Sequence, residues 1–280
     1  MHSVMAVFGT RPEAIKLAPL IIRLRSHRVL TPRVVVTAQH RWMLDQVNDV
    51  FGIVPDHDLN IIQPRQTLAE ITALAMRGLY PVIAAERPAV VVVQGDTSTS
   101  FVAALAAFYH QVPVVHLEAG LRSHDRYAPF PEEVNRRLTS QIATLHLAPT
   151  RTSRRNLLES GVSAADVVVT GNTVIDALLW TVDRRLSFGD PRLEQLDADD
   201  RPMLLVTAHR RESWGEGMTS IGRALAAIAR AEPDLAIVLP LHRNPAVREA
   251  IEPEVRDLDN VWLTEPLPYG AFARLMERAT

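Results

Sequence analysis

The sequence predicts an α/β protein of two lobes, each built on a parallel sheet. Short apolar, β-branched runs alternate with helical segments along the whole chain, a pattern typical of parallel strands joined by crossover helices. With 280 residues, the chain is longer than one ordinary domain. A polar, Asp-rich stretch near residues 190–200 is the expected linker between the two lobes.

The first lobe is expected to begin with a strand over residues 4–8. Gly9 and Pro12 mark the turn into a helix whose apolar residues recur at helical spacing. Residues 52–66 are expected to be irregular. The same apolar patterns predict further strands at 33–37, 90–93, 112–117, 145–148 and 167–170, and helices at 42–51, 67–86, 99–109, 135–141 and 153–159.

The second lobe follows the linker with the same alternation. Its strands are predicted at 203–207, 236–240 and 261–264, and its helices at 218–231, 245–254 and 269–278. Three strands make a small sheet for this class of fold.

Composition excludes several classes of function. The formal net charge of -2 gives no general attraction to nucleic acid or to a membrane surface. The absence of cysteine excludes disulfides, thiol nucleophiles and thiolate metal sites. The chain opens on a strand-length apolar run rather than a signal peptide, and no apolar run is expected to reach membrane-spanning length. The cytoplasm is therefore the expected compartment.

Two of the predicted core strands end in carboxylates. Asp96 follows the strand at 90–93, and Glu118 follows the strand at 112–117. Ligands of open α/β sheets bind outside the carboxyl ends of the strands, so both acids are expected to face one cleft. A third acidic pair, Glu132 and Glu133, lies at a predicted helix start. The alternative is that Asp96 caps a helix and the glutamates are solvated, but three acids in these positions favour acid–base chemistry.

Basic groups at other turns predict an anionic substrate. Gly9, Thr10 and Arg11 lie where backbone N–H groups at a helix start are expected to be free for an anion, and Lys16 is the only lysine of the chain. In the second lobe, His209 follows a strand and precedes two arginines, which suits phosphate or a leaving-group oxygen; the alternative is a loop histidine satisfied by its surroundings. His242 ends the next strand, but neither histidine has a partner at metal-ligand spacing, so no metal and no cofactor is expected.

Seven segments resemble the non-hydrolysing UDP-N-acetylglucosamine 2-epimerases. They are F-G-T-R-P-E-A-I-K-L-A-P-L (8–20), T-A-Q-H-R (37–41), G-D-T (95–97), H-L-E-A-G-L-R (116–122), P-F-P-E-E-V-N-R (129–136), T-G-N-T-V-I-D-A-L (170–178) and T-A-H-R-R-E-S-W-G (207–215). The resemblance implies two Rossmann-like lobes in the glycosyltransferase-B arrangement, with the carboxylates in residues 1–172 and UDP bound by residues 173–280. It also implies a homodimer.

The same resemblance implies a reaction and the residues that serve it. UDP-N-acetylglucosamine and UDP-N-acetylmannosamine are interconverted by loss of UDP to give 2-acetamidoglucal, followed by re-addition of UDP. The implied residues are Asp96, Glu118 and Glu132 as catalytic carboxylates, His209 at the diphosphate, Arg11, Lys16 and Arg136 as substrate contacts, Leu267 and Phe272 near the uracil, and Gln39 and His40 at a second, activating substrate site.

One departure from the family pattern concerns the second lobe. Family members continue with a strand and an Asp-Ser-Gly-Gly-x-x-Glu-Glu helix start that holds the diphosphate and ribose, so this lobe is expected to be truncated at its C-terminal end. Two alternatives stay open. One is a glycosyltransferase of the same architecture, which needs an acceptor. The other is a non-catalytic UDP-sugar-binding or regulatory protein, against which the three carboxylates argue.

Overall fold

Two α/β units make up the chain, Met1–Leu179 and Trp180–Thr280. The computed structural model describes residues 1–38, 41–208 and 215–280, and for Trp42 and Met43 the backbone alone. Both units contain parallel sheets with helices in the connections, so the predicted α/β class is confirmed.

The described part of the first unit contains a seven-stranded parallel sheet in the order β3-β2-β1-β4-β5-β6-β7. Its strands are β1 His2–Phe8, β2 Leu30–Val36, β3 His57–Asp58, β4 Val90–Gln94, β5 Val114–Leu117, β6 Leu145–Ala148 and β7 Val167–Val169. Its helices are α1 Arg11–Arg25, α2 Arg41–Val50, α3 Leu68–Glu86, α4 Ser98–Tyr109, α5 Glu132–Ile142, α6 Arg151–Glu159 and α7 Thr173–Val182, the last of which continues into the second unit.

The order of the strands reverses between β1 and β4. The chain builds outward from β1 to β3, then crosses back to place β4 on the other side of β1. In open α/β sheets, the crevice at such a switch point is where ligands bind. The loops that follow β1, β4 and β5 are therefore the part of the sheet in which a site is expected.

The core lies on both faces of the central strands. Met5 and Val7 of β1 pack in one cluster with residues of α3 and α4, and the intervening Ala6 and Phe8 are fully buried as well. A strand covered on both faces needs no polar alternation, which is why these segments are continuous apolar runs in the sequence.

Helix α3 differs from the expectation that no apolar run reaches membrane-spanning length. With 19 residues and a mean hydropathy of 1.3, it is long and apolar enough to cross a membrane by length and composition alone. Ile71, Ala75, Leu79 and Ile83, at helical spacing, instead pack in the core of the first unit. A helix that covers a sheet passes the same test, so α3 is weak evidence for a membrane span.

The described part of the second unit contains a three-stranded parallel sheet in the order β10-β9-β8. Its strands are β8 Met203–Leu205, β9 Ala236–Pro240 and β10 Val261–Thr264, and its helices are α8 Pro191–Asp197, α9 Glu216–Ala231, α10 Pro245–Val255 and α11 Tyr269–Arg278. Ile237 and Leu239 of β9 pack with α9 and α10, whereas Ala236 and Val238 pack with α8 and α11.

The expected linker and lobe boundary both differ from the structure. Residues 190–200 contain α8, which Asp190 caps through the backbone N–H of Arg192, and which buries Leu193 and Leu196 in the core of the second unit. The division between the two units lies within α7 rather than at residue 172. The start of α7 belongs with the first unit because the Thr173 hydroxyl donates to the carbonyl of Lys16, at 2.6 Å.

Candidate active site

The three predicted catalytic carboxylates come together at the carboxyl edge of the first sheet. Asp96 and Glu118 follow the adjacent strands β4 and β5, which pair with Gln94 opposite Leu117. Glu132 is the first residue of α5. The charges of Glu132 and Glu118 both raise the pKa of Asp96, so the three groups interact electrostatically. Sheet order thus places acids that are distant in the sequence around one centre.

Asp96 is an acid whose proton affinity is raised by its surroundings. Burial is the main cause of the raised pKa, and the positive charge and hydrogen bond of Arg136 oppose it. The Arg136 Nη2 donates to Asp96 Oδ2 at 2.5 Å, and the Asn135 amide donates to the Asp96 carbonyl at 3.0 Å. The helix that follows is capped by Thr97, not by Asp96, so the capping alternative for Asp96 is wrong. A raised pKa suits a group that exchanges protons near neutral pH.

Glu118 is held by three side chains from distant parts of the chain. Lys16 Nζ lies 2.7 Å from Oε1 and 2.5 Å from Oε2. The Gln94 amide donates to Oε2 at 2.5 Å, and the Asn172 amide donates to Oε1 at 2.8 Å. Gln94 and Asn172 were not found by sequence reasoning, because a glutamine at a strand end and an asparagine before a helix carry no specific signal.

The acidic pair at the start of α5 divides into two different groups. Glu133 is fully buried, accepts a hydrogen bond from the Ser123 backbone N–H at 3.0 Å and lies 3.5 Å from the Arg136 guanidinium. Glu132 is half-buried and accepts no hydrogen bond from the residues that the structure describes. Glu132 is therefore the member of the pair that is available for chemistry, and Glu133 helps to hold Arg136.

The turn after β1 does not have the free backbone N–H groups that were expected to bind an anion. The backbone N–H groups of Gly9 and Thr10 are not free, because both donate to Glu13 Oε2, at 3.0 and 2.8 Å. Glu13 is buried, which raises its pKa, and its other oxygen accepts from the Thr97 hydroxyl at 2.6 Å. The Thr10-x-x-Glu13 spacing is a capping-box signal that sequence reasoning could have used.

Arg11, the remaining cation of that turn, stays available. It is the first residue of α1, it is half-buried, and its guanidinium makes no hydrogen bond or ion pair with the described residues. Arg136 and Lys16, by contrast, already pair with carboxylates of the site.

The other predicted site residues lie elsewhere. Gln39, His40 and His209 are outside the described residues. Leu267 and Phe272 belong to the second unit, where Leu267 packs against its core and Phe272 is half-buried on α11. His242 is exposed and accepts a hydrogen bond from the Asn244 backbone at 3.1 Å. Within the described ranges, no group of three or more acidic or histidine side chains is arranged to hold a metal ion.

A buried histidine supports the loop that carries Asp96. His116 of β5 is fully buried, and its Nε2 lies 2.7 Å from the carbonyl oxygen of Gly95. Since a carbonyl only accepts, Nε2 carries the proton in this hydrogen bond. Burial is the main cause that lowers the pKa of His116 from 6.5 to about 4; His146, Arg122 and Arg136 contribute to the lowering, and the hydrogen bond to Gly95 opposes it.

We expect this histidine to make stability depend on pH. A folded-state pKa below the unfolded value means that the contribution is complete above about pH 6.5 and is lost as the pH falls towards 4. The loss should approach about 3 kcal/mol. His116→Gln keeps an amide donor without the titration, so its free energy of unfolding in urea should depend less on pH between about 7 and 5. Equal pH dependence in both proteins would contradict this interpretation.

The parallel sheet and the carboxylates at its carboxyl edge are typical of one class of protein, the α/β enzymes. Within that class, residues 22–280 match the family described as UDP-N-acetylglucosamine 2-epimerase, and the chain belongs to this family. It is 50% identical over 282 residues to the UDP-N-acetylglucosamine 2-epimerase of Escherichia coli strain K12, a match that covers 99% of this chain and 75% of the relative.

Two solved structures extend the comparison to the fold. The UDP-GlcNAc 2-epimerase of Neisseria meningitidis, bound to UDP-GlcNAc, is 45% identical with a TM-score of 0.83, covering 99% of this chain and 76% of that one. The S. aureus MnaA structure with UDP is 47% identical, also with a TM-score of 0.83, covering 100% of this chain and 73% of that one. The family predicted from the sequence motifs is thus confirmed.

Proposed function

We propose that this protein interconverts UDP-N-acetylglucosamine and UDP-N-acetylmannosamine. The observation that carries the proposal is the meeting of Asp96, Glu118 and Glu132 at one edge of the sheet. A site that only bound a nucleotide sugar would gain nothing from three interacting acids beside an anionic ligand. Proton transfer at a carbon centre, by contrast, needs a positioned acid and base, and carboxylates can serve as both.

The reaction proceeds by elimination and re-addition. The C2 proton passes to a carboxylate while the C1–O bond breaks and its electron pair leaves with UDP, so that 2-acetamidoglucal forms with a double bond between C1 and C2. UDP then adds back at C1, and C2 takes a proton on its opposite face. The C2 proton is weakly acidic, so the departing diphosphate must be stabilised as the base acts.

The positive groups of the site suit that second task. Arg11, with no described partner, and Lys16 and Arg136, each beside a carboxylate, are the proposed cationic contacts of the substrate. His209 is the proposed partner of the diphosphate, and the second unit is the proposed UDP-binding lobe, with Leu267 and Phe272 near the uracil. Gln39 and His40 are the proposed contacts of a second, activating substrate molecule.

Proton NMR of UDP-N-acetylglucosamine with the protein in deuterated water tests the function. We expect UDP-N-acetylmannosamine to appear without any acceptor, with solvent deuterium at C2. Transfer of the sugar to an acceptor without epimerisation would favour a glycosyltransferase. Binding without any turnover would favour a non-catalytic UDP-sugar-binding protein.

We also propose that the protein forms a homodimer through the ends of α3 and α4. The aromatic side chains of Tyr80, Phe108 and Tyr109 are exposed there, at 43%, 59% and 58%. Tyr80 stacks against His110, with ring centroids 4.0 Å apart, which joins the two helices into one aromatic surface. Clustered exposed aromatic groups mark association surfaces more often than isolated ones do.

Replacing Phe108 and Tyr109 together by serine is expected to give monomers. The two rings supply much of the apolar area of this surface, and analytical ultracentrifugation at a fixed concentration measures the result. Val54→Ser is the matched control, because Val54 is an apolar residue 77% exposed in another part of the first unit. A double variant that kept the sedimentation of the parent would place the interface elsewhere.

For the location of the protein, we propose the cytoplasm. A chain without cysteine gains nothing from an oxidising compartment. Cell fractionation with an antibody against the chain tests this.

A further inference from the structure

We infer that Glu118 is a positioning residue that fixes Lys16 towards the substrate, and that Asp96 and Glu132 carry the protons at the two faces of C2. This inference rests on the proposed epimerase function and assigns different tasks to the three carboxylates. It depends on how many hydrogen bonds each carboxylate already makes.

Both oxygens of Glu118 are already saturated. A carboxylate offers about four acceptor positions, and Lys16, Gln94 and Asn172 together supply four donor contacts of 2.5–2.8 Å, two to each oxygen. The Glu118 side chain is only 10% exposed. Taking a proton from C2 would require one oxygen to give up one of its two donors, because a proton needs one of the acceptor positions that these donors fill.

The backbone also shows that Glu118 is held in one orientation. Its φ is +62°, in the left-handed region that non-glycine residues rarely adopt. Such a conformation is unfavourable for a residue with a side chain and persists where surrounding contacts determine it. The donors come from α1, the end of β4 and the residue before α7, so three separate elements fix this one side chain.

Lys16 is the group that this arrangement orients. An ammonium has three N–H donors, and two of them are directed at the two oxygens of Glu118. The third has no partner among the described residues. Lys16 therefore presents one donor and a positive charge in a fixed direction, which suits an anionic or electron-rich oxygen of the substrate. A planar guanidinium would not reproduce this geometry.

Asp96 and Glu132 differ from Glu118 in having open oxygens. Arg136 donates to Asp96 Oδ2, while Oδ1 accepts from no described residue. Glu132 makes no hydrogen bond with the described residues and is half-buried. The raised pKa of Asp96, caused mainly by burial, fits a group that takes and returns a proton.

Deuterium exchange started separately from each epimer distinguishes the tasks. Loss of a proton carrier blocks elimination from the epimer whose C2 proton that residue removes. The other epimer still loses its C2 proton and takes up deuterium from the solvent, but its configuration at C2 is no longer inverted. We expect this one-sided result for Asp96→Asn and, with the opposite epimer, for Glu132→Gln. Loss of a positioning residue should instead slow exchange from both epimers by the same factor, about 10²-fold for one lost electrostatic contact.

Glu118→Gln is expected to slow deuterium exchange from both epimers by the same factor. Lys16→Met should reproduce it, and the double variant should be no slower than either single variant, because both changes remove one interaction. Lys16→Met also keeps the test decisive if Glu118→Gln does not fold. One-sided exchange in Glu118→Gln, or full turnover in Lys16→Met, would overturn the inference. A parent protein that exchanges neither epimer would overturn the proposed function, and this inference with it.

Discussion

Asp96→Asn and Glu132→Gln are each expected to slow epimerisation by about 10²-fold or more. The amide keeps the size of the side chain but cannot accept the C2 proton. Asp96→Asn retains an oxygen for the Arg136 contact, and it removes a charge from beside Glu132 and Glu118, so the fold should persist. The rate is measured by proton NMR from either epimer, and the fold by thermal unfolding.

The control for this change is Asp257→Asn. Asp257 undergoes the same chemical change, but its side chain is 89% exposed, and its one ion pair with the described residues is a surface contact with Arg256 at 3.9 Å. Its turnover should equal that of the parent. If Asp96→Asn and Glu132→Gln both turned over as fast as Asp257→Asn, the three carboxylates would not be the catalytic centre.

Gly120→Ala is expected to cause a large loss of stability. Gly120 has a φ of +90°, and a Cβ at this position would lie 2.2 Å from the backbone oxygen of Ser153 at the start of α6. The left-handed backbone costs about 1–2 kcal/mol for a residue with a side chain, and overpacking adds about 1–3 kcal/mol. The free energy of unfolding should therefore fall by about 2–5 kcal/mol in chemical denaturation.

Gly161→Ala separates the two causes. Gly161 has nearly the same φ, +88°, but nothing lies within 4 Å of the added Cβ. It should lose only the backbone part, about 1–2 kcal/mol. Equal losses in the two variants would show that close packing against α6 is unimportant. The difference matters for function because Gly120 ends the Glu118-Ala119-Gly120 turn, whose Ala119 is buried against α6 residue Leu157.

Local patterns predicted most of the secondary structure. The bounds of β9, β10 and α11 agree with the expected ranges, and α3 differs from its predicted range 67–86 only in that Thr67 is its cap. In each of these elements, the spacing of apolar residues, a capping residue or a proline at the start predicts the bounds. Helix α8 was missed because its Asp and Arg residues resemble a linker, although Leu193 and Leu196 are spaced to face one core.

The position of the site was also predictable, but its internal contacts were not. Carboxylates after two successive strands must meet if the strands pair in parallel, and β4 and β5 do so. In the turn after β1, by contrast, the prediction from the sequence was wrong. A glycine turn at a helix start predicts free N–H donors, yet Glu13, four residues after Gly9, accepts from two of them.

The sequence by itself determined the α/β class and the family, and it predicted the acidic residues that the structure brings to one edge of the sheet. These follow from residue type, spacing and motif, all of which are local. Only the tertiary structure decided which acids are already engaged. Glu118 takes its donors from Lys16 and Asn172, 102 and 54 residues away, while Glu132 has no described hydrogen-bond partner. Such contacts depend on the order of the strands and the path of each connection, which spacing along the chain does not contain.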